Sequence, residues 1–75
     1  MPQVELKSEI TGTVWMVPAK AGERMKAGEE VLILESMKME FPLEAPGDGV
    51  VEEIRVKPGD SVQEGDVVAI FRTDE

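Results

Sequence analysis

Seventy-five residues with 16 acidic and 8 basic side chains, a net charge of −8 and neither cysteine nor histidine describe one small domain. The acidity argues against nucleic acid and anionic membranes as partners, since both attract basic surfaces. The missing side chains remove disulfides and the usual soft-metal ligand sets, so stability must come from an apolar core and well-chosen turns.

The chain opens on Met1-Pro2-Gln3-Val4-Glu5, which has neither the basic region nor the apolar stretch of a signal peptide. No segment is long and apolar enough to span a bilayer. The expectation is a monomeric cytoplasmic domain covering 1–75, with no nucleic-acid, membrane or metal partner.

Further along, the chain repeats itself. A shift of 37 positions places Gly12 on Gly49, Val14 on Val51, Lys20 on Lys57, Gly22 on Gly59, Gly28 on Gly65, Val31 on Val68 and Ile33 on Ile70, without a gap. Glycine marks backbone that needs positive φ or close approach, and three glycines recur in register with the apolar residues. Two copies are too few for a solenoid and suit a closed structure with pseudo-twofold symmetry, its halves covering about 10–37 and 47–74.

Taken in order, residues 12–19 read as a strand whose apolar positions, Val14, Val17 and Ala19, are spaced three then two. Strict alternation is broken by one residue, which predicts a β-bulge near Trp15-Met16. Turns follow at Ala21-Gly22-Glu23 and Ala27-Gly28-Glu29, then a strand over 31–35. Ser36-Met37-Lys38 reads as a hairpin connection, followed by an extended segment over 39–45, where Pro42 requires that the strand be a sheet edge or begin beyond it. The second half repeats the plan: a strand over 49–56 with a bulge near Glu52-Glu53, turns at Pro58-Gly59-Asp60 and Glu64-Gly65-Asp66, and a strand over 67–72. Apolar spacing nowhere holds to 3.6, so no substantial helix is predicted. Trp15 is read as a packing residue. Leu34 and its repeat equivalent Phe71 are read as facing away from the core, where they would form a small patch for a partner.

Lys38 lies at or beside the hairpin tip, between Met37 and Met39. A tip side chain projects into water with few constraints, which suits a group that an enzyme must grasp and that must later visit other sites. Both methionines are unbranched and polarizable, suited to contacts that form and release. No histidine, cysteine or phosphate-binding glycine loop supports catalysis by the chain itself. Asp48 and Asp60 read as turn residues.

The segment Glu35-Ser36-Met37-Lys38-Met39 resembles the Glu-Ala-Met-Lys-Met motif of the biotinyl domain, the biotin carboxyl carrier family, with serine in place of the commoner alanine. The likeness extends to Gly12, to residues 28–32, to Ala45-Pro46 with Gly49 and Val51, and to Pro58-Gly59-Asp60 with Gly65-Asp66. It covers most of the chain and is nearest to the short single-domain biotin/lipoyl attachment proteins. It implies an all-β flattened barrel of two four-stranded antiparallel sheets related by a pseudo-twofold axis, with the modified lysine on a hairpin tip. It also implies covalent biotin on Lys38, attached by a biotin protein ligase that recognises Met37, Met39, Glu35 and Ser36. The tethered biotin would then shuttle a carboxyl group between a biotin carboxylase and a carboxyltransferase or decarboxylase, in a non-catalytic carrier role. The gap-free repeat leaves no room for the thumb that some carriers insert, and Phe41 stands where a polar residue is expected. Glu35 and Glu40 read equally as solvated charge and as contributors to ligase selectivity. Two other readings share the frame. One is a lipoyl carrier of a 2-oxo acid dehydrogenase system, in which Asp-Lys-Ala is the more usual tip. The other is an unmodified barrel-sandwich interaction module.

Overall fold

The computed structural model describes residues 2–74, and its regular structure is entirely β. Eight strands follow in order: β1 (Gln3–Lys7), β2 (Gly12–Met16), β3 (Arg24–Met25), β4 (Glu30–Ser36), β5 (Met39–Glu44), β6 (Gly49–Ile54), β7 (Ser61–Val62) and β8 (Val67–Thr73). They form two four-stranded sheets, ordered β1-β8-β6-β3 and β5-β4-β2-β7, and every pairing is antiparallel.

The 37-residue shift carries β2, β3 and β4 onto β6, β7 and β8, and in reverse carries β5 onto β1. Each sheet therefore maps onto the other. The short strands cross over: β3 pairs with β6 of the second half, and β7 pairs with β2 of the first. The same crossing is made outside the ladders. Gly22 N–H donates to the Val51 carbonyl at 2.6 Å, and Val51 N–H to the Glu23 carbonyl at 2.9 Å. Their equivalents, Gly59 to Val14 and Val14 to Asp60, both measure 2.8 Å.

The four turns share one chemistry. Gly22, Gly28, Gly59 and Gly65 have φ between 88° and 96°, as the third position of a type II turn requires. The acidic residue that follows each of them closes the turn from the side. Glu23 accepts from Lys20 N–H at 3.0 Å, Glu29 from Lys26 at 2.7 Å, Asp60 from Lys57 at 3.0 Å and Asp66 from Gln63 at 2.8 Å. The repeated Gly-Glu and Gly-Asp steps are thus a backbone conformation plus a side-chain acceptor. Gly12 and Gly49 serve differently: a Cβ there would run into the carbonyl oxygens of Glu35 and Arg72, so these positions are bare because another strand lies against them.

Trp15 and Glu52 are the extra residues of the expected bulges, in the same place in both copies. A second pair, at Val31 and Val68, was not legible in the spacing. It reverses one expectation. The bulge turns Val31 and Leu32 both inward, after which alternation puts Leu34 inside and Ile33 outside. Leu34 and Phe71 are buried core residues and not an outward patch. The core also holds Val14, Val51, Val68, Ala69, Met25 and Val62. Burying Phe71 alone contributes roughly 2–3 kcal/mol.

Two more expectations are corrected. Trp15 is 43% exposed, because the bulge turns its side chain off the core face. The strands expected over 12–19 and 49–56 stop at Met16 and Ile54, where the chain leaves the ladder toward Pro18 and Pro58. β1, β3 and β7 were not anticipated: β3 and β7 have two residues each, and β1 is mostly polar, with Leu6 its buried position. Pro42 lies on β5, at the edge of its sheet as expected.

Gly49→Val is expected to destabilise by about 3 kcal/mol through backbone overlap, lowering Tm by roughly 10–20 °C, against about 1 kcal/mol for Gly22→Ala, which meets only φ strain. Thermal melts of the two variants check the order. A pH dependence follows from Glu52, whose carboxyl is held below the usual range by hydrogen bonds from Gln3 and then Arg72. Its stabilisation is full at neutral pH and is lost as pH falls through the lowered folded value. Glu52→Gln is therefore expected to flatten the acid limb of a Tm-against-pH curve while leaving its shape above pH ~6 unchanged.

Candidate functional site

β4 and β5 pair from Glu30–Glu44 up to Ser36–Met39, leaving Met37 and Lys38 as a two-residue loop. The connection is thus one residue shorter than expected, because Ser36 closes β4. Met37 and Lys38 have φ of 52° and 66°. Positive φ at both central residues is the type I′ pattern, which matches the twist of paired strands and ordinarily uses Asn-Gly. A side-chain-bearing residue costs about 1 kcal/mol in that region. The tip therefore holds two residues against their own preference, and the paired strands beneath keep them there.

The neck of the hairpin is supported from one side. Gly12 of β2 lies against Glu35 and Ser36, near enough that an added Cβ would stand 3.2 Å from the Ser36 Cβ. A glycine far away in sequence thus lets the neighbouring strand back the hairpin closely. Met37 is 92% exposed and Met39 60%, and Lys38 is exposed between them. Glu35 sits directly across from Glu40 one pair below the turn, both of them exposed. All five candidate residues, Glu35, Ser36, Met37, Lys38 and Met39, are together at this tip.

The rest of the fold keeps this end clear. From the tip, β5 runs away and passes through residues 45–48 to Gly49, which pairs with Thr73. Thr73 N–H donates to the Pro2 carbonyl at 3.0 Å, and Asp74 N–H to Asp48 at 2.9 Å. Under the 37-residue shift the Thr73–Pro2 contact is the counterpart of the Ser36–Met39 pair. Lys38 and the described ends of the chain thus occupy opposite ends of a body 35 × 18 × 16 Å.

Phe41 is half-buried on the inward face of β5 opposite Leu34. With Ile10, Pro42 and Leu43 it lines a groove of about 140 Å³ flanked by Glu9 and Glu40. It covers the barrel edge, which accounts for an aromatic side chain at that position. The groove is smaller than the cavities that enclose cofactors. An exposed amine on a strained, rigidly backed turn beside so small a groove suits a group carried covalently on Lys38. Sequence reasoning passed over the carboxylate Glu44 beyond Pro42, although its spacing of two from Pro42 and four from Glu40 was readable.

Known proteins bear on this arrangement. The family model described as "Biotin-requiring enzyme", for biotin and lipoyl attachment, matches residues 2–71. A biotin/lipoyl attachment protein of Bacillus subtilis (strain 168) is 50% identical over 60 residues, 80% of this chain and 82% of that protein. Among solved structures, a single-chain, multi-domain long-chain acyl-CoA carboxylase superposes with a TM-score of 0.90 at 33% identity, over 97% of this chain. The chain spans only 7% of that carboxylase. The lipoyl domain of the 2-oxoglutarate dehydrogenase complex from Azotobacter vinelandii superposes with a TM-score of 0.76 at 31% identity, over 87% of this chain and 82% of that one.

If the turn is strained as its φ values state, Met37→Asn combined with Lys38→Gly should raise stability by about 1 kcal/mol, or roughly 5 °C in Tm. An unchanged or lower Tm would contradict the strain.

Proposed function

The chain belongs to the biotin/lipoyl attachment family, and from that premise we propose that it is a biotin carboxyl carrier with Lys38 as its covalent attachment point. The observation that carries the reading is the placement of Glu35-Ser36-Met37-Lys38-Met39 on a two-residue turn, with Lys38 projecting into solvent between two exposed methionines.

Lysine amines are protonated at neutral pH, so attachment needs an enzyme that presents an activated carboxyl group and removes the proton. In that step the Lys38 Nζ attacks the activated carbonyl carbon, an amide forms, the activating group departs and the amine proton passes to the ligase. Biotin, when attached, supplies the ring that takes up and gives away a carboxyl group. The residues of this chain provide position. The I′ turn aims the lysine stem outward, Gly12 lets β2 back the hairpin, and Met37 and Met39 offer contact area that releases readily. Tethering through a flexible stem gives an effective concentration on the order of mM at each site within reach. In this reading the domain is a non-catalytic component. Its partners are a biotin protein ligase, a biotin carboxylase and a carboxyltransferase or decarboxylase, and its setting is the cytoplasm.

Intact mass after incubation with biotin protein ligase, ATP and biotin tests the assignment. One biotinyl increment is expected on the parent and none on Lys38→Arg, with equal Tm for both proteins. An increment on the variant would move the acceptor elsewhere. No increment on folded parent, with one appearing under lipoate and its ligase, would make this a lipoyl carrier.

A further inference from the structure

The pseudo-twofold axis gives the molecule an internal control: the outer faces of the two sheets occupy equivalent surroundings and can be compared row by row. On the sheet that carries Lys38, register places Met16, Ile33 and Pro42 side by side across β2, β4 and β5, with bulged Trp15 beside Met16. Trp15, Met16 and Pro42 are exposed and Ile33 is half-buried, so the row is an apolar stripe on the surface. Above it toward the tip, Glu35 faces Glu40, and below it Glu30 faces Glu44. Like charges directly opposite each other on one sheet face destabilise it. None of these four glutamates enters an ion pair among the described residues.

The equivalent positions on the other sheet hold different chemistry. Trp15, Met16 and Pro42 correspond to Glu52, Glu53 and Glu5. There each carboxylate is neutralised on its own face: Glu5 by Lys7 at 3.9 Å, Glu53 by Arg55 at 3.1 Å and Glu52 by Arg72 at 2.5 Å. One fold thus presents a charge-balanced face and an apolar stripe between uncompensated carboxylates. Backbone demands are shared by the two faces, so they do not account for the difference.

We propose that the outer face of β2, β4 and β5 is a docking surface for the enzyme that acylates Lys38, and that this enzyme meets it with an apolar protrusion flanked by lysine or arginine side chains. The inference rests on the carrier reading above. Reach supports the choice of occupant. Pro42 lies three residues from Met39, about 10 Å along the strand. An enzyme that acylates the bare amine has only the lysine stem to work with, so its body must cover ground this close to the tip. Charge supports the complement. Four carboxylates without an ion pair among the described residues favour a basic rim, and a second copy of this chain would set four more against them.

The test exchanges the stripe for its own counterpart, which this fold already accommodates at equivalent positions. Trp15→Glu combined with Met16→Glu is expected to raise the ligase KM for the unmodified domain at least roughly tenfold with kcat little changed, as loss of a buried aromatic anchor does. Direct titration of Lys38→Arg onto immobilised biotin protein ligase should show the same loss when the two substitutions are added. Glu53→Gln, on the balanced face, should change neither. Glu30→Gln with Glu44→Gln alters only exposed side chains. That pair should weaken binding and lessen its dependence on salt, and it carries the test should the first variant melt early. A parent that is acylated with KM and Kd unmoved by both sets overturns the docking surface and leaves the carrier reading standing. A folded parent that the ligase neither binds nor acylates overturns both. A dimer of the parent in sedimentation that the stripe substitutions dissolve would assign the face to a second copy instead.

Discussion

The structure depends on a reciprocal set of backbone hydrogen bonds in which a turn of each half clamps the bulged strand of the other. Gly22 and Glu23 bracket Val51, while Gly59 and Asp60 bracket Val14. Both clamped valines are at the centre of the core, essentially without exposure. The bulges at Trp15 and Glu52 curl the strands toward closure, and the glycine turns supply the conformation that lets the next segment cross to the opposite sheet. A chain this short has little apolar surface to bury. Exchanging β3 and β7 between the halves makes each sheet incomplete without the other half.

This closure determines what the tip can do. A body with two equivalent ends has two hairpin positions. One is spent on the chain ends, where Thr73 meets Pro2. The other is the continuous turn at Met37-Lys38. The strain of two positive φ values is tolerable there because six cross-strand pairs and the close approach of Gly12 lie beneath it. A floppy loop would present a lysine equally exposed, but not in a fixed frame that a ligase can read.

Much of this was legible in the residues, and the misses have a common cause. Turn chemistry could be read because glycine followed by an acid has one strong local meaning, and all four turns repeat it. The bulges at Trp15 and Glu52 could be read because they break a count of two between apolar residues. Those at Val31 and Val68 could not, since Val31, Leu32, Ile33 and Leu34 form an unbroken apolar run in which a slipped parity leaves no trace. One slip was enough to turn Leu34 and Phe71 outward in the reading when they face inward. β3 and β7 escaped for a different reason: two-residue strands exist only through the partners they find across the barrel. The lysine was legible because its motif is local, whereas the surface around it needed register, which only the fold supplies.

Departures from the internal symmetry fall into two kinds, and the distinction separates packing from recognition. In the core, Leu32 and Leu34 stand against Ala69 and Phe71. A smaller residue beside a larger one keeps the volume, as close packing requires. That asymmetry is compensated within the molecule. The exchange of Glu52, Glu53 and Glu5 for Trp15, Met16 and Pro42 is not: one face neutralises its own charge, while the other leaves four carboxylates and an aromatic ring facing water. A departure that nothing inside the fold answers has to be answered outside it. These uncompensated departures lie on the sheet that ends in Lys38.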